Sequence, residues 1–150
     1  MKLGIKDFFF VGVQFVLFGA YVFDFGLWTF ELPQVLKTIC LVFTFFGLGI
    51  IILSMLQLNT NLSPFPSPKA GSKLIQNGLY KYVRHPIYSG ILITLCSYAL
   101  YYESVYKLII LSLLYILFYF KSSYEEKRLL KTFPNYKIYK GNTGRFFPGI

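Results

Sequence analysis

The run TICLVFTFFGLGIIILSMLQL, residues 38–58, carries no formal charge over its whole length, and crossing a bilayer core of ~30 Å takes about 20 helical residues. Its reading decides the fold: it is a transmembrane helix, and the rest of the chain has to be arranged around it. Working outward, residues 8–23, 87–102 and 106–120 form three shorter apolar runs. Each gives ~22–24 Å at ~1.5 Å per residue, so each needs interfacial extension to cross. Trp28, Phe30, Tyr101, Tyr102, Tyr106, Tyr119 and Tyr124 stand at the ends of these runs, where amphipathic rings favour the headgroup layer. With 55% hydrophobic, 21% aromatic and only 14% charged residues, the chain reads as an all-α integral membrane protein of about four transmembrane helices, with a cytosolic carboxyl-terminal helical extension and tail.

Four spans put both termini and the 59–86 connection on one side. That side then holds all of the 15 Lys and Arg residues except Lys37 and Lys107, which makes it the cytoplasmic face. Lys2 and Lys6 ahead of an apolar run imitate a secretory signal, but Ala20-Tyr21-Val22-Phe23 lacks a small-residue cleavage pattern, so the first span is expected to be retained. The formal charge of +9 is explained by topology and by anionic lipid headgroups rather than nucleic acid, since no recognition helix or strand platform is present. Cys40 and Cys96 fall inside predicted spans without metal-ligand spacing, so they read as small packing residues; no metal site is expected. Asp24, Glu31 and Lys37 read as solvated charges of the outer turn.

A single membrane domain fits 150 residues: residues 1–58 supply two spans, and 59–150 supply a strap, a helical hairpin and a carboxyl-terminal lid. The strap, residues 59–78, contains Ser63-Pro64-Phe65-Pro66-Ser67-Pro68, whose alternating prolines cannot continue a helix. A hairpin over residues 87–120, turned at Tyr102-Glu103-Ser104, returns the last helix to the face that the strap crosses. The helix has no breaker before Pro134, so it is expected to run from about Tyr106 through Lys131.

On that face stands the only histidine, within Leu79-Tyr80-Lys81-Tyr82-Val83-Arg84-His85-Pro86-Ile87-Tyr88. Pro86 biases His85 away from helical dihedrals. Tyr80, Tyr82, Arg84 and Tyr88 supply rings and donors suited to stacking a purine or binding a carboxylate. An interfacial aromatic belt with a snorkelling arginine accounts for the composition equally well. Lys121 and Glu125 share a helix face, as do Glu126 and Leu130, so one carboxylate turns inward; spacing does not fix which. No glycine-rich dinucleotide or phosphate loop follows a strand, so a nucleotide-like cofactor would be bound in another way.

Taken in order, Ser63-Pro64-Phe65-Pro66-Ser67-Pro68, Leu74-Ile75-Gln76-Asn77-Gly78-Leu79-Tyr80, Arg84-His85-Pro86-Ile87-Tyr88, Glu125-Glu126 and Arg145-Phe146-Phe147-Pro148 resemble the isoprenylcysteine carboxyl methyltransferase family from about residue 57 to the end. The resemblance implies a small helical membrane enzyme that binds S-adenosylmethionine at its cytosolic face under a carboxyl-terminal roof. It implies a cofactor site of Lys73, Leu74 and Ile75 through their backbone, Tyr80, His85, Pro86, Ile87 and Tyr88 as the pocket, and Glu125 as the carboxylate. Lys121 falls where eukaryotic members have an arginine facing the substrate carboxylate, and a point charge there replaces a bidentate fork. Arg84, Glu126 and Arg145 are further candidates for holding a lipophilic or lipid-modified acceptor. Two other readings stand beside this one: a sterol-reductase-like enzyme binding NADPH, and a non-enzymatic membrane scaffold binding anionic lipid.

Overall fold

The computed structural model describes residues 4–24, 26, 28–68 and 71–149. Among them are five α-helices and no strands: α1 (Ile5–Val22), α2 (Gln34–Leu58), α3 (Pro86–Tyr101), α4 (Val105–Thr132) and α5 (Tyr136–Asn142). Helices α1, α2 and α4 are long and apolar enough to cross a membrane; α3 is apolar but shorter, at 16 residues. Phe15, Phe45, Ile52, Leu56 and Phe120 are exposed, as suits side chains facing lipid rather than water. Lys2 and Lys69, which belong to the cationic face read from the sequence, lie outside the described residues.

Each predicted span has its helix within a few residues. Ser104 caps α4 by accepting a hydrogen bond from the Lys107 amide at 3.2 Å, which starts the helix where the hairpin turn ends. At 28 residues, α4 measures ~42 Å, longer than a ~30 Å hydrocarbon core. Its polar end begins at Lys121. Helix α5, seven residues long and beginning just after Pro134, differs from the sequence reading, which places no helix in the tail.

Helices α2 and α3 form the closest pair. A Cβ at Gly47 would stand 2.8 Å from the Thr94 amide nitrogen, and one at Gly90 would stand 2.9 Å from the Gly47 carbonyl oxygen and 3.0 Å from the Ile51 amide nitrogen. Small residues at such a crossing let backbones approach, and here they hold the short α3 along its longer neighbour. Gly47→Leu is therefore expected to force the two helices apart and lower stability by about 1–3 kcal/mol, measurable as a fall in thermal unfolding temperature in detergent. An unchanged transition would contradict this account of the crossing.

At the opposite end from His85, the outer turn is more engaged than a solvated loop. Lys37 pairs with Glu103 at 2.8 Å, and Glu103 also accepts the Leu32 amide at 2.6 Å. Lys107 is buried, donates to the Tyr21 carbonyl at 2.7 Å, faces Asp24 at 3.8 Å and sits among the rings of Tyr21, Tyr98 and Tyr102. The expectation of free charges is thus corrected for Asp24 and Lys37, which found partners distant in sequence; Glu31 is exposed. The core lies between α3 and α4, around Leu92, Ala99, Leu114 and Phe118, with Tyr21 of α1 and Phe146 of the tail completing it.

Candidate functional site

The polar residues collect where α2 ends, α3 begins and α4 projects. Pro86 opens α3 at its first turn, where a missing amide hydrogen costs nothing, and His85 before it is non-helical, at φ −126° and ψ 60°. Residues 83–85, standing outside the helix, pair with the tail. Val83 bridges Gly144 in parallel, the Arg84 amide donates to the Gly144 carbonyl at 2.8 Å, and the His85 amide donates to the Arg145 carbonyl at 3.1 Å. Ser89 adds a hydroxyl bond to the Phe146 carbonyl at 2.6 Å. The tail is therefore tied down by backbone pairing as well as by side chains.

The two adjacent glutamates have different environments. Glu126 is buried within a cluster of bases: Arg84 Nε at 3.0 Å, His85 Nε2 at 3.3 Å, Lys140 Nζ at 2.8 Å and Arg145 Nε at 3.6 Å. Arg84 continues the cluster by donating to the Lys140 carbonyl at 2.9 Å and to the Thr143 carbonyl. Glu125 instead accepts the Tyr88 hydroxyl at 3.2 Å and faces His85 Nδ1 at 3.8 Å. His85 thus connects both carboxylates, and its ring stacks on Tyr88, which stacks on Phe118.

Two cavities meet at this wall. The first, about 680 Å³ including its open mouth, is lined by the strap residues Ser63, Phe65, Pro66, Ser67 and Pro68, by Ser72, Lys73, Leu74 and Ile75, and by Leu129, Phe133, Tyr136 and Tyr139. The second, about 860 Å³ on the same measure, is lined by Gln14, Met55, Leu58, Leu62, Ile87, Tyr88, Ile91 and Lys121. Leu58, Ser63, Tyr80, Arg84, His85 and Glu125 line both. Lys121 is buried, donates to Gln14 Oε1 at 2.5 Å and stands 5.5 Å from the Tyr88 ring centre; it forms no ion pair among the described residues.

The structure thus brings Lys73, Leu74, Ile75, Tyr80, His85 and Glu125 to the first cavity and Ile87, Tyr88 and Lys121 to the second. Pro86, Glu126 and Arg145 line neither. Arg145 is held against the Tyr119 ring and the Ser123 hydroxyl. Sequence reasoning missed Gln14, whose signal was a lone amide in an apolar run, and Tyr136 and Tyr139 on α5. Burial lifts the Tyr139 hydroxyl to about 12. Burial raises Tyr136 and Tyr80 further, with nearby carboxylates adding to it. All three phenols therefore stay protonated donors at neutral pH; Tyr139 gives its proton to the Tyr80 carbonyl at 2.6 Å.

Fold and site together define an all-helical membrane protein with a two-cavity polar site at one end of its bundle. The sequence pattern of the phospholipid methyltransferase family matches residues 35–136, and the chain belongs to that family, as a membrane methyltransferase directed at lipid-like substrates. The match reaches the phospholipid enzymes rather than the isoprenylcysteine enzymes themselves. No curated protein matches the chain significantly.

Proposed function

We propose that the protein is an S-adenosylmethionine-dependent methyltransferase holding its donor in the strap-lined cavity and a lipid-like acceptor in the cavity beside Lys121, with carboxylate O-methylation as the reaction. The observation that carries this reading is the wall shared by the two cavities, because a methyl group has to pass directly from one ligand to the other. Glu125 suits a cationic donor: it is an anion in the shared wall, and Tyr88 orients it. Lys73, Leu74 and Ile75 would contact the donor through their backbone, and Tyr80 and His85 would pack against it. The face carrying these residues would be cytoplasmic, and the whole chain would act as one membrane domain.

When bound, S-adenosylmethionine supplies a methyl group on a sulfonium; a bond forms from acceptor oxygen to carbon as the carbon–sulfur bond breaks, its electron pair staying on sulfur. The chain's part is to position and to exclude water. A carboxylate attacks without losing a proton, whereas an amine would need a base, and both nitrogens of His85 face carboxylates. Lys121 supports an anionic acceptor as well, since its buried ammonium bonds a neutral amide and forms no direct ion pair among the described residues. The acceptor's lipid portion would reach the cavity from the bilayer past Met55 and Ile91.

Calorimetry of the purified protein with S-adenosylmethionine should give saturable binding, and NADPH should give none. Absence of donor binding in both detergent and lipid would overturn the reading; NADPH binding in its place would favour a reductase. Incubation with radiolabelled donor and membrane extract should label a base-labile ester. A base-stable N-methyl product would overturn the carboxylate assignment and leave the donor assignment standing.

A further inference from the structure

Helix α1 lies outside the span matched to the family, yet its first turn carries a fully buried carboxylate, Asp7. One oxygen is accounted for locally: Oδ2 accepts the Gly4 amide at 2.7 Å, a reach back to the helix start that satisfies an orphan donor. The other is not. Oδ1 accepts the Ser67 hydroxyl at 2.6 Å, across 60 residues and onto the strap that walls the donor cavity. Prolines 64, 66 and 68 leave this strap without backbone donors at every second position, so a side-chain anchor has to take their place. Phe8 adds an edge contact to Phe65 at 5.2 Å. Arg128 Nη2 stands 4.0 Å from Asp7 Oδ2, which ties the same clasp to α4 one turn beyond Glu125.

We infer that Asp7 is a positioning residue of the donor cavity, clasping Ser67 so that the proline strap stands as a fixed wall opposite Glu125. This rests on the strap-lined cavity being the donor site. Asp7 touches no ligand; it acts through Ser67 and Phe65. Without the clasp the strap would have to be ordered at the moment of binding, and that ordering would be subtracted from donor affinity.

The test measures S-adenosylmethionine binding by calorimetry and acceptor kinetics for wild type, Asp7→Ala, Asp7→Asn, Ser67→Ala and the Asp7→Ala/Ser67→Ala pair, alongside amide hydrogen exchange of residues 62–75. Losing a charge-assisted bond should weaken donor binding about tenfold in either alanine variant. The double variant should be little worse than either single one, Asp7→Asn should recover part of the loss, and acceptor KM should not move. Exchange should rise in the strap and not in α3. Donor affinity unchanged in Asp7→Ala, or donor and acceptor affinities falling together with the unfolding temperature, would overturn the inference. If wild type binds no donor, the functional reading fails, and the exchange data still decide whether Asp7 holds the strap.

Discussion

Glu126→Ala is expected to lower the unfolding temperature by at least ~6 °C and to release the tail, because it removes the one anion around which four basic groups are gathered. Breaking a buried ion pair by deleting one partner costs about 3–5 kcal/mol, and ~1 kcal/mol shifts a domain of this size by ~2–4 °C. The Arg84 pair carries most of that cost, since both side chains are almost wholly removed from solvent. Lys140 is 40% exposed and adds little once screened. With Glu126 gone, Arg84 is left buried against the Lys140 and Thr143 carbonyls, and both it and Arg145 lose their counter-charge. Residues 143–149 should become sensitive to limited proteolysis, and donor affinity should fall because the roof of the shared wall has loosened. Glu126→Gln, which keeps the shape and one acceptor oxygen but loses the charge and turns the other oxygen into a donor facing bases, should lie between. An unfolding temperature and a proteolysis pattern like wild type in Glu126→Ala would show that the backbone bridge at Val83 and Gly144 holds the tail unaided.

The helical bundle was legible because lipid imposes a simple constraint: long apolar runs have to become helices, and Thr38–Leu58 could be nothing else. The strap was legible for the opposite reason, since three prolines forbid a helix. What the sequence left open depended on partners remote in the chain. Glu125 and Glu126 are neighbours about 100° apart on one helix, and only the bases of residues 84, 140 and 145 decide that Glu126 is enclosed while Glu125 faces the cavities. The burial of Lys107 was not legible because its ring partners, Tyr21, Tyr98 and Tyr102, belong to other segments. The bond from the Ser67 hydroxyl to Asp7 spans 60 residues, which no periodicity could foretell. Helix α5 is a single pair of turns, too short for a periodic signal, and it forms by packing Tyr136 and Tyr139 under Arg84 and Tyr80.

Glu125 and Lys121 stand one turn apart on α4, and the proposed function assigns them to different ligands, so their variants should separate. Glu125→Ala should raise the dissociation constant for S-adenosylmethionine by ~10- to 100-fold, the range for losing a hydrogen-bonded charge, and methyl transfer should fall at least as far. Glu125→Gln should retain the Tyr88 hydrogen bond and lose the charge, so a loss close to that of alanine would mean that charge, rather than shape, holds the donor. Lys121→Met fills a similar volume without an ammonium. It should leave donor binding near wild type and raise the acceptor KM ~10-fold or more, because the buried cation is the one group in the second cavity able to answer an acceptor's negative charge without first leaving an ion pair. Lys121→Arg should restore part of that loss, since the guanidinium offers two parallel donors where the ammonium offers a point. The assignment turns on this split. If Lys121→Met weakens the donor and Glu125→Ala the acceptor, the two cavities have been allotted the wrong way round; if both variants weaken both ligands equally, the shared wall acts as a single site and the separation of donor from acceptor across Tyr80, His85 and Glu125 is lost.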